Sequence, residues 1–248
     1  MSIIRVSHRP AAERRREAIH AIAWLLLGWG LLLAVVVAVG MALTGPLKGS
    51  IGVADNRVER WLAAHRSSWL TDVAEAVSLF GETLTVLLLG PVLLLVTWLW
   101  SRQIRAVVFL VVALVGEVSA YLLTVSIVSR PRPPVPLLDP GLDPNHSYPS
   151  GHVAAALALY GGMAMLIWLF CANRWRWLSV ALLVLPPLVG IARLYLGVHH
   201  PTDVITSLAF MSAWLVVTGA VFLRDQSAET ARSGKRSRSY GCSGRTIP

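Results

Sequence analysis

Six stretches of the chain, residues 21–43, 84–100, 106–128, 152–170, 177–196 and 203–223, are almost wholly apolar. A hydrocarbon core about 30 Å thick needs about 20 apolar residues per helix to cross it. Backbone polar groups have no water partners at that depth, so each run must fold as a helix that satisfies its own hydrogen bonds. The predicted fold is therefore all-α, an integral membrane bundle of six transmembrane helices. A composition with 55% apolar and only 14% charged residues excludes an ordinary soluble domain.

The first run follows a basic start containing Arg5, Arg9, Arg14, Arg15 and Arg16. A cleaved signal would carry an apolar run of only roughly 7–15 residues, so this run is read as a retained first helix. Six spans place both termini on one side. Fifteen of the 22 Lys and Arg residues lie on that side, in the termini and the connectors 101–105 and 171–176, and seven lie opposite. The positive-inside rule then makes the termini cytoplasmic in an inner (plasma) membrane. It also accounts for the net charge of +9 without any nucleic-acid partner. Cys171 and Cys242 both fall on the inner side, where a structural disulfide is not expected.

Three regions follow: a basic cytoplasmic N-terminus over 1–20, a six-helix membrane unit over 21–223, and a disordered basic tail over 224–248. Within the unit, residues 44–80 form an extracytoplasmic amphipathic segment. Val58, Trp61, Leu62, His65, Trp69, Val73, Ala76 and Leu79 recur there at helical spacing, with Arg57, Glu59, Arg60 and Asp72 between them. That pattern fits helices lying in the interface, with tryptophans at headgroup depth.

The chemistry gathers on the outer face. Ser147-Tyr148-Pro149-Ser150-Gly151-His152 sits where a proline-rich loop turns into the fourth span. Ser150 falls at the N-cap, so free backbone N–H groups and the positive helix end offer an anion site. Gly151 lets an anion approach the backbone, and His152 can transfer a proton near neutral pH. Arg130 and Arg132 stand in the loop before it, and Arg193, His199 and Asp203 flank the last connector. Pro201 suits the first turn of the sixth helix, from which Asp203 can reach back to His199 and fix its tautomer. Arginines clamp phosphate oxygens with planar paired donors. The set supplies a nucleophile, an orienter, an acid and a clamp, which is most of what phosphoryl transfer asks of a protein.

These residues carry a family resemblance. The sequence resembles the type-2 phosphatidic acid phosphatase superfamily, whose three signatures are Lys-x6-Arg-Pro, Pro-Ser-Gly-His and Ser-Arg-x5-His-x3-Asp. The second is complete at residues 149–152. The third keeps Arg193, His199 and Asp203 at the family's spacing, with Ala192 in place of the leading Ser. The first keeps Arg132-Pro133, with Val125 in place of the Lys. The resemblance implies a metal-independent lipid phosphatase in which His199 forms a phosphohistidine, Asp203 orients it and His152 protonates the leaving oxygen. Arg132, Ser150, Gly151 and Arg193 would then bind the phosphoryl oxygens, with no cofactor and no metal.

Arg130 is expected as an accessory that stands in for the lost Lys charge. Glu117 is the second accessory, because a carboxylate inside a membrane helix turns to the bundle interior, where it serves structure or catalysis. His146 and His200 are read as loop histidines without a role. The implied substrate is a membrane lipid phosphate or diphosphate: undecaprenyl diphosphate, phosphatidylglycerophosphate or phosphatidic acid. A catalytically silent lipid-binding or scaffold protein is the alternative favoured by Val125 and Ala192. A lipid transporter is a further one, though no internal repeat supports it.

Overall fold

The structure, a computed structural model, describes residues 11–223. The first ten residues and the tail over 224–248, expected to be disordered and basic, lie outside that range. The described chain is helical: α1 (Ala11–Thr44), α2 (Ile51–Ala64), α3 (Ser68–Ser78), α4 (Thr83–Ser101), α5 (Ile104–Ile127), α6 (Gly151–Phe170), α7 (Arg176–Tyr195) and α8 (Pro201–Phe222). Six of these, α1 and α4 to α8, are long and apolar enough to cross a membrane, as the hydropathy predicted. Leu26, Leu87, Val115, Ile205 and Val216 are more than half exposed and face outward. Such a surface is stable only in contact with lipid.

The largest of three apolar clusters joins α5, α6 and α8. Phe109, Leu110 and Ala113 of α5, Leu157, Ala158 and Leu166 of α6, and Phe210, Met211 and Trp214 of α8 are buried against one another. Of the six spans the fourth is the most enclosed, about two-thirds buried, so α6 runs through the middle of the bundle. A π-turn at Leu157–Gly161 interrupts α6.

The segment between α1 and α4 forms α2, α3 and a 3-10 turn at Leu79–Gly81, as its periodicity predicted. Its apolar stripe points away from the bundle, with Trp61 60% and Trp69 64% exposed. The inward face of α2 is unexpected, because Asp55 and Glu59 are buried there against the start of α8. Three hydrogen bonds tie this cap to the end of α7 and to the loop before α6. Arg66 donates to the carbonyls of Tyr195 (3.1 Å) and Pro136 (2.8 Å), and the Ser67 N–H donates to the Tyr195 hydroxyl (2.8 Å).

The long loop between α5 and α6 is pinned at both ends. The Ser147 N–H donates to the Arg130 carbonyl (3.0 Å) and the Arg132 N–H to the Pro144 carbonyl (2.9 Å), which brings the arginines beside the start of α6. The buried Tyr148 hydroxyl donates to the Val36 carbonyl of α1 at 2.7 Å. Gly197, at φ +76, makes the turn that ends α7 two residues before His199. A residue with a Cβ is strained in that left-handed conformation.

Candidate active site

The three motifs meet at one end of the bundle, where α6 and α8 begin and α7 ends. His199 is 5% exposed, and its Nδ1 lies 2.6 Å from the carbonyl oxygen of Ser147. A carbonyl only accepts, so Nδ1 carries the proton and Nε2 keeps its lone pair. Asp203 was expected to hold this ring directly, but its Oδ2 is 3.6 Å from Nδ1, beyond hydrogen-bond reach. Ser147 bridges the two, since its hydroxyl donates to Asp203 Oδ2 at 2.5 Å while its carbonyl holds the imidazole. Ser147 was thus missed as a functional residue. No sequence signal singled it out beyond its place ahead of Pro149.

Burial holds the His199 pKa below the ordinary imidazole range. Asp203 opposes this effect, while the charges of Arg193 and Arg132 reinforce it. The ring is therefore neutral near neutral pH, as a nucleophile must be.

Ser150 occupies the N-cap of α6 with extended backbone, but its hydroxyl makes no capping bond. The oxygen is buried without a hydrogen-bond partner, and so is Arg193 Nε. Buried polar atoms are ordinarily paired, so two orphans at the start of α6 and the end of α7 mark a place for an acceptor-rich ligand. His152 and Arg193 line a cavity of about 270 Å³ together with Ser78, Glu82 and Asp139. Arg193 Nη1 donates to Ser78 Oγ (3.0 Å) and to Asp139 Oδ2 (2.8 Å). Ser78, Glu82 and Asp139 are lining residues that the motifs could not reveal.

Arg132 donates to three backbone carbonyls: Nε to Asp143 (2.7 Å), Nη1 to Val198 (2.7 Å) and Nη2 to His146 (3.1 Å). It ties the loop to the peptide before His199, and burial lowers its pKa, though a guanidinium keeps its charge at any working pH. Two of its five N–H groups remain for a ligand. Gly151 opens α6 against the Tyr121 ring.

Arg130 does not fill the place of the missing Lys. Its guanidinium is buried and hydrogen-bonds Asp203 Oδ1, Asp55 Oδ2 (2.8 Å) and Thr202 Oγ1 (2.7 Å). Val125 is half-buried near the end of α5, and Ala192 packs in an apolar cluster with Ala74, Tyr195, Leu196 and Val198. Glu117 faces the bundle interior as expected, 3% exposed, in a small hollow lined by Tyr121, Thr124, Pro149 and Ser207. His200 has partners after all, with Glu59 Oε1 2.5 Å from Nδ1 and the Pro131 carbonyl 3.0 Å from Nε2. Among the described residues no group of three or more His, Cys, Asp or Glu side chains is arranged to hold a metal ion.

Fold and site together define a class, a six-helix membrane protein with a histidine and arginine anion site at one end of its helices. The sequence model of the PAP2 superfamily matches residues 105–225, the segment that carries all three motifs. Over that segment, 121 of the 248 residues, the chain is similar to members of that superfamily. It is 31% identical over 124 residues to an undecaprenyl-diphosphatase of Sulfolobus acidocaldarius, covering 46% of this chain and 54% of that protein. It is 35% identical over 78 residues to a lipid A 1-phosphatase of Rhizobium johnstonii, covering 32% of this chain and 29% of that protein. The chain thus matches about half the length of the first relative and less of the second. Its fold is similar to the crystal structure of a transmembrane PAP2 type phosphatidylglycerolphosphate phosphatase from Bacillus subtilis. The TM-score is 0.63 at 21% identity, over 83% of this chain and 96% of that one.

Proposed function

We propose that this protein hydrolyses a membrane lipid phosphate or diphosphate through a phosphohistidine on His199, without a metal. The observation that carries the reading is the tautomer of His199, with Nδ1–H held by the Ser147 carbonyl and the Nε2 lone pair left free. In the first step Nε2 bonds to phosphorus as the bond to the leaving oxygen breaks, and His152 gives that oxygen its proton. Arg193 Nε, the Ser150 hydroxyl, the Gly151 N–H and Arg132 hold the phosphoryl oxygens as charge develops on them. In the second step water attacks phosphorus, the P–N bond breaks and inorganic phosphate leaves, with His152 taking the water's proton. Asp203, joined to the Ser147 hydroxyl, steadies the ring as it becomes cationic.

The substrate class rests on the relatives, which are named for undecaprenyl diphosphate, lipid A and phosphatidylglycerophosphate. Our order of preference is undecaprenyl diphosphate, phosphatidylglycerophosphate, then phosphatidic acid. The acyl or prenyl tail would lie against the apolar helix faces while the headgroup enters at the start of α6. The surplus of Lys and Arg on the side of the termini supports an extracytoplasmic site in an inner membrane.

The test is phosphate release by purified protein in detergent from a panel of lipid phosphates, with chelator present and His199→Ala alongside. Release that survives chelator and is lost in the variant supports the reading. Val125 and Ala192 favour a second reading, a silent lipid binder, which predicts no release from any lipid in the panel.

A further inference from the structure

Behind the nucleophile, away from the cavity, five ionisable side chains are packed together: Asp55, Glu59, Arg130, His200 and Asp203, each 6% exposed or less. Burying charges is costly, and apolar residues of similar volume usually serve a core as well or better. Two of the five, Asp55 and Glu59, come from α2, one helical turn apart on the same face. That helix lies outside the segment matched by the superfamily, which begins at residue 105.

The contacts run from α2 toward the nucleophile. Asp55 Oδ2 accepts from Arg130 Nη2 (2.8 Å) and from Thr202 Oγ1 (2.6 Å), and Asp55 Oδ1 accepts the Thr202 N–H (3.3 Å) in the first turn of α8. Arg130 passes the constraint on, because its other terminal nitrogen bonds Asp203 Oδ1. Asp203 Oδ2 in turn accepts from Ser147, whose carbonyl holds His199. Glu59 acts through the neighbouring residue, with Oε1 2.5 Å from His200 Nδ1 in an ion pair rather than an aligned hydrogen bond. His200 Nε2 faces the Pro131 carbonyl at 3.0 Å. Both ring nitrogens thus meet acceptors, which suits an imidazolium.

We propose that Asp55 and Glu59 are positioning residues of this site, a carboxylate pair on α2 that fixes Arg130, Thr202 and His200 and thereby sets the geometry and charge behind His199. The inference rests on His199 being the nucleophile. Three carboxylates face two cations in the cluster, which leaves one net negative charge on the side from which Asp203 supports the ring. That charge stabilises the cationic imidazole of the phosphorylated intermediate. Burial alone would lower the His200 pKa, but the Glu59 contact and Asp203 outweigh it, against Arg130, and raise it. The Glu59–His200 pair therefore adds no net charge, and Asp55 is the member that tips the balance.

The experiment uses the full-length protein in detergent with undecaprenyl diphosphate, phosphatidylglycerophosphate and phosphatidic acid in mixed micelles, and kcat and KM measured across pH. Asp55→Asn, Asp55→Glu, Glu59→Gln and His199→Ala are compared with wild type, and folding is followed by circular dichroism. Asp55→Asn and Glu59→Gln are each expected to lower kcat roughly tenfold, the scale seen when partners behind an active-site ligand are lost, with KM little changed. Asp55→Asn removes a negative charge, so the acid limb of kcat/KM moves to lower pH. Glu59→Gln leaves the limb in place, because His200 gives up its proton with the carboxylate. Asp55→Glu recovers part of the rate.

Wild-type kcat in both neutral variants, or a loss confined to KM, overturns the proposal. Failure of both to fold also overturns it, because the carboxylates would then be structural only. An active His199→Ala, or no release by wild type, would instead sink the phosphohistidine reading on which the proposal stands.

Discussion

Gly81→Ala tests how tightly the 3-10 turn before α4 holds His152, the proton donor of the proposed reaction. Gly81 ends the 3-10 turn ahead of α4, and an added Cβ would lie 2.4 Å from the His152 carbonyl oxygen, 2.9 Å from its carbon and 3.0 Å from Val189 Cγ1. Ordinary contact begins at 3.4 Å, so backbone must part from backbone by about 1 Å. Overpacking of this kind costs roughly 1–3 kcal/mol. The displaced residue lies in the first turn of α6 and carries the imidazole that protonates the leaving oxygen in the proposed reaction. A misplacement of about 1 Å can cost ~100-fold in rate. The control is Gly219→Ala, where the new methyl would touch Phe109 Cε2 at an ordinary 3.9 Å and crowd Met165 Cε at 2.7 Å, the end of a side chain that can swing aside. The assay pairs the thermal unfolding midpoint in detergent with kcat per folded molecule for lipid phosphate hydrolysis. Gly81→Ala is expected to lower the midpoint and reduce kcat by ten- to a hundredfold, the range set by that misplacement, while Gly219→Ala leaves kcat unchanged. A folded Gly81→Ala with kcat within about twofold of wild type, a difference worth under ~0.5 kcal/mol, would refute the coupling between this turn and His152.

Three further outcomes follow from the same geometry. Asp139, 35% exposed, pairs with Arg193 and in the proposed reaction would compete with the phosphate for it. Asp139→Asn should lower KM by about two- to fivefold, the scale of a partly exposed ion pair, and an unchanged or higher KM contradicts this. The depressed His199 pKa keeps the ring neutral down to acid pH, so the acid limb of kcat/KM should fall below the ordinary imidazole range, and a limb above it refutes the assignment. His200 has a raised pKa in the folded protein, so its stabilisation is complete below the unfolded imidazole pKa and is lost as pH rises through the folded one. The stability difference between wild type and His200→Gln should therefore shrink as pH rises above the ordinary imidazole range, and a difference that grows would contradict the pairing.

The bundle was legible because a membrane leaves a backbone so few options. Six long apolar runs with basic connectors specify six helices whatever the side chains between them do. The motif residues were legible for a similar reason, since Pro-Ser-Gly-His at a loop-to-helix boundary and Arg-x5-His-x3-Asp across a turn carry their geometry in their spacing. What could not be read was the pairing across distant elements. Arg130 looked like a phosphate ligand because charge counting sees only its neighbours, whereas the fold turns it onto Asp55, 75 residues away. Glu59 lies between the apolar positions of an interfacial helix, and its spacing does not show whether it meets solvent or the bundle. In a helix at an interface, apolar side chains face outward and carboxylates are free to turn in. Ser147 was invisible for a third reason: it holds His199 through a backbone carbonyl, which every residue has.

The central claim is that phosphate passes through His199. Rapid quenching of the protein with lipid phosphate labelled at phosphorus, followed by denaturing gels, asks this directly. A protein-bound label that is stable to base, labile to acid and absent from His199→Ala is the result expected. Turnover by wild type with no such label, or with the same label in His199→Ala, would contradict the account.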